Sequence, residues 1–324
     1  MRPLGIGLIG LGRWGRNYLR ALAALDESRL VAAADPDPAA LGSAPAGLDC
    51  CSDYRRLLDR PSIEAVVIAS PDEAHYLLAR AALETGKDVL VEKPMATRVS
   101  DAESLVELAS ERGLVLAVGH TVLYHPGFCR LLLSVNAGSV GRIGRLTAIR
   151  TSAGVLHRPS TVLQDLVPHD LAATLTLAGR PEAVRTRTRE RAGSRAVCYQ
   201  ARLPGDVVLS GWAAWCRPPH PRRLRVTGTA GTEVLIDSRS VPARHADVRA
   251  TPLGRQCLDF INSCRKRTSP TSDAQLGLAV THAVAAMAES LNHDGSWLPV
   301  PAPRPARSPV PPKPGAACIS TLAS

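Results

Sequence analysis

LGIGLIGLGRWG, residues 4–15, is an apolar strand that runs directly into a glycine-rich turn. The glycines follow the spacing G-x-G-x-x-G, and a helical pattern continues to about residue 25. Gly10 permits a tight turn, Gly12 lets a pyrophosphate approach the backbone, and Gly15 lets the helix pack closely on the strand. The segment predicts a dinucleotide-binding unit, and its predicted cofactor contacts are Gly10, Gly12, Arg13, Trp14 and Gly15.

An acidic residue stands where such a unit needs a ribose ligand. Asp35 lies twenty residues after Gly15 and follows the predicted second strand, Leu30–Ala34. Its carboxylate can accept hydrogen bonds from the adenosine ribose hydroxyls, and it repels a 2′-phosphate. NAD is therefore favoured over NADP. A strand–turn–helix in which the glycines only help the backbone to turn is the alternative.

Strands and helices alternate through the first 120 residues. Helices are predicted over about 73–84 and 100–113, the second opened by a capping box at 100–103. The predicted strands are Leu4–Ile9, Leu30–Ala34, Ala65–Ala69, Asp88–Val91 and Leu114–Val118. This alternation predicts the α/β class, with an N-terminal Rossmann domain built on a doubly wound parallel sheet.

The pattern changes after Thr121. Successive strands with turn signals and no long helix between them run from about 182 to 237. They predict a C-terminal α+β domain on a large, mostly antiparallel open sheet. Helices are predicted over about 126–135, 165–177, 254–265 and 273–291, and a strand over about 145–151. The predicted domains are 1–122 for the Rossmann domain, 123–300 for the substrate and oligomerisation domain, and 301–324 for a proline-rich tail expected to be disordered.

The charge balance does not indicate a nucleic-acid partner. The formal net charge is +10, but only four of the 39 basic residues are lysine, and the arginines are spread along the whole chain. A phosphate-tracking surface needs clustered basic side chains and aromatic rings that stack on bases, and aromatic residues are only 3% here. We therefore expect no nucleic-acid binding.

Membrane and metal partners are not expected either. No apolar run approaches the roughly 18 residues that span a bilayer, and no signal peptide is seen, so a cytoplasmic location is expected. The eight cysteines include no C-x-x-C pair, which favours reduced thiols and no metal site.

A lysine follows the strand Asp88–Val91, within the sequence Glu92-Lys93-Pro94. Ligands of open α/β sheets bind at the carboxyl ends of the strands, which is where Lys93 stands. Arginine cannot exchange a proton near neutral pH, whereas a lysine near a cationic nicotinamide can. Lys93 is therefore a candidate proton carrier, and a solvated lysine at a strand end is the alternative.

A second candidate group lies near the start of the helix predicted over 165–177. Asp165 and His169 are four residues apart, which places them on one helix face or just before it. Histidine is the usual general acid or base at neutral pH, and a nearby carboxylate can orient it. A structural histidine near a helix start is the alternative.

Together these motifs resemble the glucose–fructose oxidoreductase, inositol dehydrogenase and rhizopine-catabolism family (Gfo/Idh/MocA). The resemblance extends to about residue 300, and its form around the histidine is most similar to the nucleotide-sugar branch. It rests on the glycine turn, 69–75, Glu92-Lys93-Pro94, 124–126, 165–171, 225–231 and 257–260.

The resemblance implies which residues form the site. It implies that Lys93 and His169 carry protons, with Asp165 as a substrate-binding or orienting acid. Further cofactor contacts implied are Ser70, Pro71, His75, Glu92 and Lys93, and the implied substrate contacts are Lys93, Tyr124, Asp165, His169 and Asp170. A homodimer or homotetramer is also implied.

The predicted function is hydride transfer between nicotinamide C4 and a secondary alcohol or ketone carbon. The predicted substrate is a polyhydroxylated small molecule, namely a sugar, nucleotide sugar or cyclitol, with natural-product biosynthesis as one setting. A reductase of imines or conjugated systems is one alternative. A non-catalytic dinucleotide-binding regulator is the other, and it predicts loss of the lysine or the histidine, which are both present here.

Overall fold

The computed structural model describes residues 2–153, 161–191, 194–216, 222–237 and 247–302. Its contacts divide these residues into two compact units. The first takes 2–124 and 247–278, and the second takes 125–237 and 279–302 within the described ranges. The predicted domain boundaries at 122 and 300 stay predictions, and the proline-rich tail from 303 onward lies outside the described residues.

The elements of the described chain follow one another as strands and helices in both units. The strands are β1 Leu4–Ile9, β2 Ser28–Ala34, β3 Asp49–Cys51, β4 Ala65–Ile68, β5 Asp88–Val91, β6 Leu116–Val118, β7 Ile143–Ser152, β8 Ala183–Arg191, β9 Ser194–Leu203, β10 Val207–Trp215, β11 Arg222–Gly228, β12 Thr232–Asp237 and β13 Leu298–Pro299. The helices are α1 Arg13–Ala23, α2 Pro38–Leu41, α3 Tyr54–Leu58, α4 His75–Glu84, α5 Val99–Glu111, α6 Pro126–Asn136, α7 Val162–Ala178, α8 Pro252–Lys266 and α9 Ala274–Asn292.

The first unit is built on a six-stranded parallel sheet in the order β3-β2-β1-β4-β5-β6. The apolar runs of β1, β4 and β5 are buried throughout, as strands covered on both faces must be. The order reverses between β1 and β4, which is the point where such sheets bind ligands at their carboxyl edge. The predicted Rossmann domain is confirmed.

Two apolar clusters form the core of the first unit. One contains buried side chains of α4 and α5, and the other contains those of α1 and α8. In α8 the buried members include Phe260 and Ile261. The chain therefore returns to the first unit after leaving it, which the linear domain prediction did not include.

The second unit is built on a seven-stranded sheet in the order β12-β11-β7-β10-β9-β8-β13. Only the pair of β7 and β10 is parallel among its described strands, and the others are antiparallel. Helix α7 packs on β7, β9 and β10. The predicted mostly antiparallel sheet is confirmed.

The two helix starts differ from their predictions. Helix α5 begins at Val99 after Arg98, and no side-chain hydrogen bond caps it, so the predicted capping box at Ser100 is wrong. Helix α7 begins three residues before its predicted start, after a capping box formed by Thr161 and Gln164. A polar residue followed three positions later by Glu or Gln occurs near the start of both helices, and only in α7 does it form a capping box.

No helix in the described ranges is both long enough and apolar enough to cross a membrane.

Candidate functional site

The glycine turn of the first unit leaves room where a phosphate would lie. Gly10 has a φ of +95°, and a Cβ there would lie 2.6 Å from the Ala69 carbonyl oxygen. A Cβ at Gly15 would overlap the Gly10 carbonyl, so α1 packs directly on the turn. Gly12 has no atom within 4 Å of its Cβ position, and it precedes α1 without a side-chain cap. The N-terminus of α1 thus has open space in which backbone N–H groups can meet an anion.

The two other predicted residues of this turn differ in exposure. Arg13 is exposed, and Trp14 is half-buried against the core cluster that contains α1. Their predicted roles as cofactor contacts stay predictions.

Asp35 follows β2 and holds the glycine turn in place. Its Oδ2 accepts a hydrogen bond from the Leu11 amide at 2.7 Å, and its Oδ1 accepts one from the Asp37 amide at 2.9 Å. Each carboxylate oxygen has a further lone pair, so these bonds leave acceptor capacity for ribose hydroxyls. A side chain predicted to bind ribose therefore also shapes the pyrophosphate turn.

His75 is fully buried and connects two loops of this sheet edge. Its Nε2 lies 3.0 Å from the Ser70 carbonyl oxygen, and its Nδ1 lies 2.7 Å from the Pro94 carbonyl oxygen. Ser70 and Pro71 follow β4, and Pro94 follows β5. The geometry favours a role in holding these loops over the direct cofactor contact predicted from the sequence.

Lys93 stands just past the carboxyl end of β5, and its backbone is anchored by Glu92. The Lys93 amide donates to Glu92 Oε2 at 3.1 Å, and the Tyr18 hydroxyl donates to Glu92 Oε1 at 2.7 Å. Gln256 in turn donates to the Tyr18 hydroxyl at 2.8 Å. Burial raises the pKa of Glu92. A Cβ at Gly119 would lie 2.8 Å from the Glu92 carboxyl carbon, so this position needs glycine.

Sequence reasoning did not single out His120, which follows β6 on the same sheet edge. Val118 pairs with Val91 in the last pair of the β5–β6 register, and His120 and Lys93 each lie two residues beyond that pair. The ring is 1% exposed, and neither nitrogen has a hydrogen-bond partner among the described residues. Burial, followed by the charge of Lys93, lowers the pKa of His120 from 6.5 to about 3. A polar residue two positions after a buried parallel strand was the signal available in the sequence.

Tyr124 belongs to the first unit, where its hydroxyl has protein partners. It donates to Asp259 Oδ2 at 2.8 Å and accepts from the Ser272 amide at 3.3 Å. The Tyr124 side chain is buried, and burial holds its pKa well above the ordinary value. The contacts favour a structural role over the substrate contact predicted from the sequence.

The second unit presents Asp165 and His169 on α7, one helical turn apart and both half-exposed. The Trp215 ring nitrogen donates to Asp165 Oδ2 at 3.3 Å. Lys93 belongs to the first unit, so the predicted proton-carrying pair is divided between the two units.

Asp170 follows His169 in α7 but faces the sheet of its own unit. Its side chain is 6% exposed, and it accepts hydrogen bonds from Arg150 and Tyr199. Because this carboxylate lies between α7 and the strands of its own sheet, it is poorly placed to meet a substrate. The geometry favours a structural role over the predicted substrate contact.

Metal-binding groups do not assemble in the part of the chain that the structure describes. No three His, Cys, Asp or Glu side chains come together there as a metal site would require. Each described cysteine is a free thiol, and Cys318 lies outside the described residues.

Comparison with known families identifies the first unit. Residues 4–120 match the GFO_IDH_MocA family, described as an oxidoreductase family with an NAD-binding Rossmann fold. This part of the chain belongs to the Gfo/Idh/MocA family. The predicted family and its NAD-binding Rossmann domain are confirmed, and the preference for NAD over NADP stays a prediction.

Relatives of the Gfo/Idh/MocA domain include two proteins named dTDP-3,4-didehydro-2,6-dideoxy-alpha-D-glucose 3-reductase. The one from Saccharopolyspora spinosa is 34% identical, over 46% of this chain and 46% of the relative, so that match spans about half of the relative. The one from Streptomyces violaceoruber is 28% identical, over 91% of this chain and 87% of the relative.

One solved structure aligns with nearly the whole chain. Scyllo-inositol dehydrogenase from Lactobacillus casei, solved with NAD(H) and scyllo-inositol, aligns with a TM-score of 0.80. The alignment covers 92% of this chain and 99% of that one at 20% identity. The likeness shows that both chains share one fold.

Proposed function

We propose that this protein is an NAD-dependent dehydrogenase or reductase that acts at a secondary alcohol or ketone carbon of a polyhydroxylated substrate. The observation that carries the proposal is Lys93, held at the carboxyl edge of the NAD-binding sheet by the buried Glu92. A lysine at this edge lies where a parallel sheet binds the reacting end of its ligands.

The cofactor half of the proposal rests on the fit of the glycine turn. The open space at Gly12 and the uncapped start of α1 suit a pyrophosphate, and Asp35 keeps acceptor capacity for ribose. When bound, NAD accepts or supplies the hydride at nicotinamide C4. The carboxylate of Asp35 disfavours the 2′-phosphate of NADP, since two anions would meet there.

The proton half rests on Lys93, whose amine can exchange a proton with a substrate hydroxyl while arginine could not. The Lys93 backbone is fixed through Glu92 to Tyr18, which limits where the ammonium group can go. His169 is proposed as the second proton carrier and Asp165 as its orienting or substrate-binding acid. These two roles come from the family resemblance, since α7 belongs to the second unit.

The substrate class is proposed from the relatives' names. Both named reductases carry a dTDP-linked deoxyglucose in their names, and scyllo-inositol is a cyclitol. A sugar, nucleotide sugar or cyclitol is therefore the proposed substrate. From the family resemblance we also propose that the protein is a homodimer or homotetramer.

The test is NADH consumption or NAD reduction at 340 nm with a panel of keto-sugars, dTDP-sugars and inositols. Wild-type protein turns over at least one member, and Lys93→Met lowers kcat by about 10²–10⁴-fold because a general acid–base group is lost. The dissociation constant for NADH, from fluorescence, rises by much less than kcat falls, since the glycine turn and Asp35 are intact although the implied cofactor contact of Lys93 is lost.

The matched control is Lys266→Met, which removes an exposed lysine at the end of α8. It leaves turnover unchanged. Lys93→Met with wild-type kcat would overturn the catalytic assignment. Tight NADH binding without turnover of any panel member would instead support the non-catalytic regulator.

A further inference from the structure

A buried ion pair and a tyrosine hold α7 on its sheet, directly beside His169 in the chain. Arg150 of β7 donates through Nε to Asp170 Oδ1 at 2.6 Å, and Tyr199 of β9 donates through its hydroxyl to Oδ2 at 2.8 Å. The side chains of Arg150 and Asp170 are 7% and 6% exposed. Both oxygens of the carboxylate are thus engaged inside the second unit.

Stability alone does not explain this arrangement. Moving each of the two charges out of water costs several kcal/mol, and well-packed apolar residues of similar size hold a helix on a sheet as well or better. The directional hydrogen bonds to two strands also define the rotation of α7 about its axis. Burial and Asp170 hold the pKa of Tyr199 well above its ordinary value, so its hydroxyl keeps its proton and donates.

The sheet has small residues where the tyrosine ring lies. Gly211 of β10 pairs with Tyr199, and a Cβ at Gly211 would overlap the ring. Ala148 pairs with Gly211 on the other side, and Ala213 pairs with Arg150 in the next row. The ring and the guanidinium therefore have a fitted place between α7 and the strands.

Helix α7 lacks one backbone hydrogen bond at this point in its sequence. Pro168 lies inside α7 and has no N–H, so it cannot donate to the Gln164 carbonyl as a helical residue would. The turn that carries His169 lacks this backbone hydrogen bond. Asp170 follows immediately and is fastened to two strands.

Small rotations of α7 matter for the position of an imidazole. Ring nitrogens lie roughly 6–7 Å from a helix axis, so a 10° rotation moves them by about 1 Å. A misplacement of about 1 Å can cost about 10²-fold in rate.

We propose that Arg150, Asp170 and Tyr199 are positioning residues that set the rotation of α7 and thereby place His169 and Asp165. The proposal rests on the proposed function, in which His169 carries a proton. It gives Asp170 a role that acts through His169 instead of through direct contact with substrate.

The experiment separates positioning from stability. The double variant Arg150→Met/Asp170→Leu replaces the ion pair with apolar side chains but leaves the buried Tyr199 hydroxyl without its acceptor. Because removal of the two buried charges offsets the loss of this hydrogen bond, we expect a melting temperature close to that of wild type. The dissociation constant for NADH stays the same, while kcat on the substrate identified in the 340 nm panel falls by about 10²-fold. Tyr199→Phe leaves the buried Asp170 Oδ2 without its donor, so we expect a several-fold lower kcat and a melting temperature a few degrees lower.

A second readout needs no substrate. In wild type the His169 imidazole, assigned by the loss of its NMR signal in His169→Asn, has one sharp resonance. In the double variant this resonance broadens or splits, because α7 is no longer held in one rotation. The control Arg80→Met/Glu84→Leu removes an exposed ion pair of α4 and changes neither kcat nor the resonance.

Three outcomes would overturn the proposal. The first is a double variant that keeps its melting temperature, its kcat and a sharp His169 resonance. The second is a Tyr199→Phe variant identical to wild type in kcat and resonance while the double variant unfolds. The third is a wild-type-like resonance in the double variant when no panel member is turned over. Absence of turnover in wild type with a broadened resonance in the double variant would count against the proposed function and support the positioning role.

Discussion

The buried side chain of His120 lowers the stability of the folded protein. Its imidazole has no hydrogen-bond partner in the described part of the chain, and the charge of Lys93 adds to burial in lowering its pKa. Leaving a buried polar group unpaired costs about 1–3 kcal/mol. The pKa of His120 is about 3 in the folded state, against 6.5 in an unfolded chain. At a pH between these two values the folded ring is therefore neutral while the unfolded ring is charged.

This difference predicts a pH dependence of stability. The folded pKa of His120 is depressed, so the unfolded state binds the extra proton, and stability is lost as pH falls below about 6.5. At pH 5 the loss from this group is about 2 kcal/mol relative to pH 8. We expect His120→Leu to be at least as stable as wild type at pH 8 and to lose about 2 kcal/mol less on going to pH 5.

Urea unfolding at the two pH values measures this difference. The control His293→Gln alters an exposed histidine near the end of α9 and leaves the wild-type pH dependence in place. Equal pH dependence in wild type and His120→Leu would show that the ring is not held neutral.

At the scale of elements, the start of α1 contains one glycine required for packing and another expected to be required for binding. Gly15 has no room for a methyl group, because the Gly10 carbonyl occupies its Cβ position. Gly12 has room for one in the protein alone, and the open space there is where the pyrophosphate is expected. Two glycines three residues apart therefore serve different ends.

Alanine substitutions at these glycines should give opposite results. Gly15→Ala destabilises the protein by about 1–3 kcal/mol, because α1 must move away from β1. Gly12→Ala changes stability by less than about 1 kcal/mol, the cost of alanine at a helix N-cap. It weakens NADH binding by about tenfold or more, because the methyl group enters the phosphate space.

Urea unfolding and NADH fluorescence measure the two effects. Gly144→Ala, at an exposed position of β7 with no atom within 4 Å, is the control for a harmless added methyl group. Wild-type NADH affinity in Gly12→Ala would contradict the placement of the pyrophosphate at this turn.

At the scale of the whole molecule, the first unit depends on a segment that the chain supplies late. Phe260 and Ile261 of α8 are buried in the same cluster as Tyr18 of α1. Gln256 donates to the Tyr18 hydroxyl, and Arg267, after α8, forms an ion pair with Asp88 of β5. The NAD-binding sheet is therefore completed by residues more than 120 positions beyond its last strand.

Phe260→Ala is expected to destabilise the protein by about 3–5 kcal/mol, since a large core side chain is lost. NADH at about 100 times its dissociation constant restores about 2.7 kcal/mol, because the ligand binds the unit that α8 completes. Thermal and urea unfolding with and without NADH measure both effects. Asn262→Ala, at an exposed position of α8, changes stability by less than about 0.5 kcal/mol. A Phe260→Ala transition that does not respond to NADH would contradict this role.

The sequence by itself determined the first unit's central elements and its glycine turn. Continuous apolar runs, the spacing of Gly10 and Gly15, and the offset to Asp35 are local, since strand burial and turn geometry depend on neighbouring residues. The same local signals placed Lys93 at a strand end. They also placed Asp165 and His169 one turn apart on a helix.

Only the tertiary structure decided which side chains face inward. Asp170 and Tyr124 were predicted to bind substrate, but their polar atoms have partners 20 to 148 positions away in the chain. The burial of His120 and the packing of α8 on the first unit were also absent from the sequence pattern. Helical periodicity shows that a residue lies on a given face, whereas burial depends on which distant strand or helix packs there.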